Sequence, residues 1–193
     1  MIKKRLLWLA SWYPNEQDEY VGDFIQRHAH LVAEHYELTV ICCLTSVQHC
    51  RLYTTRRNVS GCTEIIIYVP KSSQTLFTAM HWWRALQAEV STYLQEGYPI
   101  GVHVHVPWKA GLMAWWLWKR KGIPYTITEH WGIYNKVVGD NFNHWPLWAQ
   151  KALKTIVHKS RCFSAPSKFL LQQSAELIKY TGPSAQMRNV VDT

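Results

Sequence analysis

The segment Thr128-Glu129-His130-Trp131-Gly132 gathers a carboxylate, an imidazole, an indole and a bare glycine within five residues. An imidazole in that company can donate to a sugar hydroxyl or a phosphate and can take part in acid–base work near neutral pH. A histidine that merely caps a loop is the structural alternative, and both readings stay open here. Gly22 stands immediately before a helix that opens at Asp23. The bare N–H groups and positive end of a helix start receive a phosphate without obstruction when the residue there is glycine. A plain turn is the other reading. His103 and His105 lie two apart on a strand pattern and share one face, with Val102, Val104 and Val106 on the other. They would make half a metal site, but no third ligand follows at a suitable spacing, so a hydrogen-bonded structural pair and no metal is the expectation. His28 and His30 sit about 200° apart around a helix and do not chelate together. They are expected to be packing or surface residues.

Neither G-x-G-x-x-G nor G-x-x-x-x-G-K-[ST] occurs, which removes the fingerprints of dinucleotide-binding folds and Walker-type ATPases. No Ser/His/Asp or Cys/His nucleophile arrangement stands out, and no cofactor is expected.

The elements that hold these residues follow from periodicity. Strand patterns cover 4–10, 37–44, 64–69, 100–106, 125–129, 162–165 and 186–190, and helical patterns cover the residues from 23 on, 76–95, 109–121, 145–159 and 167–180. Asp23 with Gln26 resembles a capping box, Gly122 and Pro124 end the helix 109–121, and Gly182-Pro183 is expected to cap the helix 167–180. Strands alternating with helices of this length predict an α/β, doubly wound parallel sheet, Rossmann-like, in a single domain with both faces covered. In such sheets ligands bind beyond the carboxyl ends of the strands where strand order reverses, which directs attention to 11–22, 106–109 and 130–140.

At 193 residues with 48% hydrophobic and 18% charged side chains, the chain is long enough for one packed domain, and intrinsic disorder is excluded. The net charge of +8 favours acidic partners: nucleotide phosphates, lipid headgroups or anionic glycans. Nucleic acid is not expected, because the basic residues form short clusters without a nucleic-acid motif. Five cysteines without a CxxC predict reduced thiols. Met1-Ile2-Lys3-Lys4-Arg5 before an apolar run imitates a signal peptide, but that run stops at Ser11-Trp12-Tyr13-Pro14 and reads as a first strand. Eleven tryptophans offer packing surface and flat faces for sugar rings, with most expected in the core. The helix 109–121, with Trp115, Trp116 and Trp118 before Lys119-Arg120-Lys121, reads as buried. The alternative is a helix lying on anionic lipid, a question that Trp82-Trp83-Arg84 also raises.

In order, Trp12-Tyr13-Pro14 with Gly22 to Ala29, Gly101 to His105, Gly122 to His130, Ser164-Ala165-Pro166-Ser167 and Asn189-Val190-Val191-Asp192-Thr193 resemble the amino-terminal domain of a family 4 glycosyltransferase of the GT-B fold. The resemblance implies retaining transfer of a sugar from a nucleotide-diphosphate donor to a glycan or lipid-linked acceptor, without an essential metal. Such a role belongs to polysaccharide biosynthesis in the cytoplasm, at or near an anionic membrane surface. It implies that residues 1–187 are the acceptor-side domain and that 188–193 begin the interdomain linker, with Arg188 where proline is usual. A donor-binding domain carrying E-x7-E would then be absent, and these residues alone are expected to be inactive. By position, Gly22 would approach the donor diphosphate and His130 would contact the transferred sugar as the catalytic residue. His105 and the residues after it, Trp131, Gly132 and the stretch through Asp140 would shape the acceptor side. Asp23 and Glu129 do not carry over as catalytic bases. The alternatives are a non-catalytic glycan- or phospholipid-binding module and a GT-B-type sugar-nucleotide epimerase.

Overall fold

The computed structural model describes residues 3–135 and 141–189. Its elements run β1 (Arg5–Ala10), α1 (Asp23–Ala33), β2 (Glu37–Ser46), β3 (Tyr53–Val59), β4 (Cys62–Pro70), α2 (Thr75–Gln95), β5 (Val102–His105), α3 (Ala110–Lys121), β6 (Tyr125–Thr128), α4 (Leu147–His158), β7 (Phe163–Ala165), α5 (Lys168–Ile178) and β8 (Ser184–Gln186). One sheet contains all eight strands in the order β3-β4-β2-β1-β5-β6-β7-β8. Strand order reverses at β1, which pairs with β2 on one side and β5 on the other.

The sheet is mixed rather than wholly parallel. β3 runs antiparallel to β4, joined through Ser60-Gly61 with Val59 opposite Cys62. Both turn residues have positive φ, 50° and 78°, the backbone of a tight hairpin. The periodicity missed β3 because Tyr-Thr-Thr-Arg-Arg-Asn-Val is polar and largely exposed, as suits an edge strand protected by charge. The last strand is Ser184–Gln186, and Val190, Val191, Asp192 and Thr193 lie outside the described residues.

Helices cover the two faces unequally. Leu7 and Leu9 of β1 point into a core filled by Leu86 of α2, Met113 of α3, Leu153 of α4 and Ile178 of α5. Trp8 and Ala10 point to the opposite side, where Ile25 and Ala29 of α1 pack. Right-handed crossovers explain this. The step from β1 to β2 runs one way along the sheet, while the steps from β4 onward run the other way and put α2 to α5 on the second face.

Ser167 caps α5 by accepting from the Leu170 amide at 3.1 Å, and Gly122 ends α3 in the left-handed conformation. The Asp23–Gln26 capping box does not form: Asp23 accepts from the adjacent Phe24 amide, and Gln26 reaches Glu64 instead. Lys179, at φ 61°, ends α5 in place of Gly182. All five thiols are free. Only Trp8 and Trp82 of the tryptophans are buried, so the expectation that most lie in the core is corrected. Trp115, Trp116 and Trp118 of α3 are half-buried; Trp116 meets Trp83 edge-on, and Lys119 lies 5.1 Å above the Trp115 ring. Among the described residues no helix is long and apolar enough to cross a membrane.

Candidate functional site

β1, β5 and β6 end side by side, with Ala10 opposite His105 and His105 opposite Thr128. The residues just past these ends therefore converge on one crevice. Ser11 ties two of the loops together: its amide donates to the His105 carbonyl at 3.1 Å, and its hydroxyl donates to the Val106 carbonyl at 2.8 Å. The same Oγ accepts from the Ala110 amide at 3.3 Å. The loop so held is bent sharply, since Val106 and Lys109 both have positive φ.

His130 follows Thr128 by two residues and stacks on His105, with ring centroids 5.4 Å apart and an interplanar angle of 21°. His105 Nδ1 and His130 Nε2 share a hydrogen bond of 3.1 Å, so one ring donates and the other accepts. His103 meets His105 edge-on at 4.5 Å and binds Thr126 at 2.7 Å and Thr128 at 2.9 Å, in line with the structural pair expected of the two. Burial holds His130 down to about 3 and His103 to about 4, with repulsion from His103 and His28 adding to the first and from His28 to the second. His105 lies well below its ordinary value, through burial and its three histidine neighbours. Neutral rings result at physiological pH. His130 Nδ1 and His105 Nε2 are buried without a hydrogen-bond partner among the described residues. An imidazole this weakly basic serves as a neutral hydrogen-bonding group rather than a general base.

Glu129 shapes the backbone of this loop and faces away from solvent. One carboxylate oxygen accepts from the amides of His130 and Trp131, both at 2.9 Å, and the other accepts from the Tyr134 hydroxyl at 2.5 Å. Burial pushes the Glu129 carboxyl up to about 7 against the lowering effect of these donors.

The glycine and the imidazole come together through Phe24, two residues past Gly22, whose ring lies 4.7 Å from that of His130. Gly22 has φ 71°, and a Cβ there would stand 3.0 Å from the Trp12 carbonyl carbon and oxygen, so its bareness lets α1 start against the Trp12 backbone. The amide of Asp23 donates to the Tyr20 carbonyl and that of Phe24 to the Asp23 carboxylate. A buried hub fixes this loop to the sheet. Glu64 of β4 accepts from the Tyr13 hydroxyl at 2.7 Å, from Gln26 at 2.9 Å and from Arg57 at 2.6 Å, and pairs with His30 at 3.1 Å. Burial alone would raise its carboxyl, but these four partners bring it below the usual value.

Aromatic rings line the same edge. Trp131 meets Trp12 edge-on at 5.8 Å and Trp145 at 5.7 Å, and Trp145 lies 4.7 Å from Trp108. Gly132 is exposed, with open space where a Cβ would stand. Residues 136–140, the rest of the expected acceptor stretch, lie outside the described residues. Ser11 and Trp108 fall in the stretches 11–22 and 106–109 to which the sequence directed attention, without being singled out, whereas Trp145 lies outside them. His28 is buried, as the packing reading expected, and its charge would disfavour protonation of the three rings. The three rings are 75 to 102 residues from His28 in the chain, so no local spacing signals that meeting.

The model of glycosyltransferase family 4 matches residues 25–193. The chain belongs to glycosyltransferase family 4. Solved structures agree on the fold of this family 4 domain, the Rossmann-like half of the GT-B architecture. A sucrose-phosphate synthase from Thermosynechococcus elongatus superposes with a TM-score of 0.65 at 15% identity, covering 96% of this chain and 48% of that one. Medicago truncatula UGT71G1 complexed with UDP-glucose gives 0.55 at 9% identity, covering 95% and 51%. A trehalose-6-phosphate structure from E. coli bound with UDP-2-fluoro glucose gives 0.51 at 12% identity, covering 90% and 43%. The chain thus spans about half the length of these proteins. No curated protein matches it in sequence.

Proposed function

We propose that residues 1–187 are the acceptor-side domain of a retaining glycosyltransferase. It moves a sugar from a nucleotide-diphosphate donor to a glycan or lipid-linked acceptor, and residues 188–193 lead toward a donor-binding domain. The observation that carries this reading is the His130 imidazole, kept neutral by burial, with Nδ1 unpaired among the described residues, at the carboxyl edge where β1, β5 and β6 end together. Family membership supports it, as do the UDP-glucose and UDP-2-fluoro glucose held by two proteins of similar fold.

In this reading His130 Nδ1 hydrogen-bonds a hydroxyl of the transferred sugar. Trp131 and the indoles beside it give the acceptor a stacking surface, and His105 orients His130 through their shared hydrogen bond. The Gly22 turn approaches the donor diphosphate, which would take over the Phe24 amide from the Asp23 carboxylate. The test is nucleotide release with a donor-binding domain supplied: His130→Ala lowers turnover at least tenfold, a barrier increase of about 1.4 kcal/mol. Unchanged turnover removes His130 from the site. No transfer by the unsubstituted protein, with glycan binding present, would favour a binding module instead.

A further inference from the structure

A groove of about 510 Å³ lies at the carboxyl edge of the sheet, between the starts of α2, α3 and α4. Its lining includes the indoles of Trp82, Trp83, Trp108 and Trp148 and the exposed Lys71 and Lys109. No Asp or Glu lines it, and the segments 71–83 and 108–112, which supply most of it, contain none. Among the described residues neither lysine has a carboxylate partner. Trp108 and Lys109 come to the groove from a strained loop: Val106 and Lys109 stand at φ 58° and 69°, where such side chains are uncommon. Backbone of this kind persists only where its surroundings over-determine it, and it gathers at ligand sites. Here Ser11 supplies the restraint, its Oγ lying between the Val106 and Trp108 carbonyls and the Ala110 amide. The groove is also continuous with the His130 loop. From Trp131 the ring centroids step 5.7 Å to Trp145, 4.7 Å to Trp108 and 6.2 Å to Trp148, whose side chain is 69% exposed.

We propose that this groove holds an acidic oligosaccharide, with its sugar rings stacked along the row of indoles and its acid group, a carboxylate or a phosphate carried on a sugar, between Lys71 and Lys109. A pyranose offers an apolar face of C–H groups to an indole. A lysine meets either acid group as a point charge. Two ammonium groups without counter-charge therefore select an acidic sugar over a neutral one of the same shape. The row of indoles extends over several rings, which suits an oligosaccharide better than a single sugar. None of Lys71, Trp83, Lys109 and Trp148 lies in the segments that carry the family resemblance, so the selectivity comes from this chain's own residues. That the bound glycan is the acceptor rests on the sugar-transfer reading; that it binds does not.

The experiment is titration of the chain with two acidic probes, followed by tryptophan fluorescence and calorimetry. Tetragalacturonate is compared with its full methyl ester, and maltotetraose 6-phosphate with maltotetraose. At least one acidic probe is expected to bind at least about tenfold tighter than its neutral counterpart, and less tightly as salt rises; the tighter of the two identifies the acid group. Lys71→Gln combined with Lys109→Gln should remove that preference. Lys151→Gln combined with Lys168→Gln strips the same charge from outside the groove and should leave the preference within about twofold. Trp148→Ala should weaken binding of the acidic probe at least about fivefold with an unchanged circular dichroism spectrum, because the side chain is exposed. Three results would overturn the proposal: neither acidic probe preferred over its neutral counterpart, equal effects of the two lysine pairs, or a dimer in sedimentation velocity that Trp148→Ala dissolves without changing saccharide binding. The last would assign the groove to a second copy of the chain. Binding without transfer, once a donor-binding domain is supplied, supports the groove and tells against the sugar-transfer reading alone.

Discussion

Acidification from pH 7.5 to 5.5 probes the buried histidines directly. His103, His105 and His130 are each held below the ordinary histidine value by burial first and by neighbouring histidines second, His103 to about 4 and His130 to about 3. In the unfolded chain they protonate near 6.5. As pH falls, protons therefore bind the unfolded state first, and stability drops from about pH 6.5 until the folded values are reached. His103 and His130 then each give up about 1.4 kcal/mol per pH unit, so by pH 5.5 the two together cost about 3 kcal/mol, and His105 acts in the same direction. Glu129 acts in the opposite sense. Its folded value of about 7 lies above the ordinary 4.5, so its contribution to stability is full at low pH and is lost as pH rises through 7. Over the same interval it returns about 2 kcal/mol. The net loss is at least about 1 kcal/mol, a fall of at least about 2–4 °C in melting temperature for a chain of this size. Urea titrations followed by tryptophan fluorescence at pH 7.5, 6.5 and 5.5 measure it. In Glu129→Gln the compensating proton uptake disappears, and the loss should deepen to about 3 kcal/mol or more. Stability that stays flat or rises toward pH 5.5, with no steepening in the glutamine variant, would refute the reasoning.

Gly22→Ala adds a Cβ at positive φ and 3.0 Å from the Trp12 backbone, and should cost about 1–3 kcal/mol. Gly132→Ala meets open space and should stay within about 0.5 kcal/mol; thermal melts that show equal effects would contradict the contrast. Glu64→Ala strips the buried hub from Tyr13, Gln26, His30 and Arg57. It should cost about 3–5 kcal/mol in denaturant titrations, with Glu64→Gln losing less. Ser11→Ala takes the hydroxyl donor from the Val106 carbonyl at a cost of about 1–3 kcal/mol, read as faster amide exchange at Ala110. An exchange rate there equal to that of the unsubstituted chain would show that Ser11 does not hold the loop.

Local geometry made much of this chain legible from its residues. The order of strands and helices follows from apolar period and from start and stop signals such as Ser167 and Gly122, which act within a few residues. The shared face of His103 and His105 follows from the two-residue period of any strand. The rule that ligands meet the carboxyl edge of a parallel sheet directed attention to the loops that carry Gly22 and His130, and Phe24 does bridge the two. Tertiary structure alone decided which distant groups meet. Strand order and crossover hand bring His28 to residues 75 to 102 positions away, set Glu64 beneath Tyr13 and Gln26, and turn Trp108 and Trp145 outward along one rim. Polar β3 became a strand only because β4 offered it an edge. The neutrality of the histidines, and with it the chemistry proposed for His130, comes from burial among these partners, a property of three-dimensional packing that no spacing along the chain encodes.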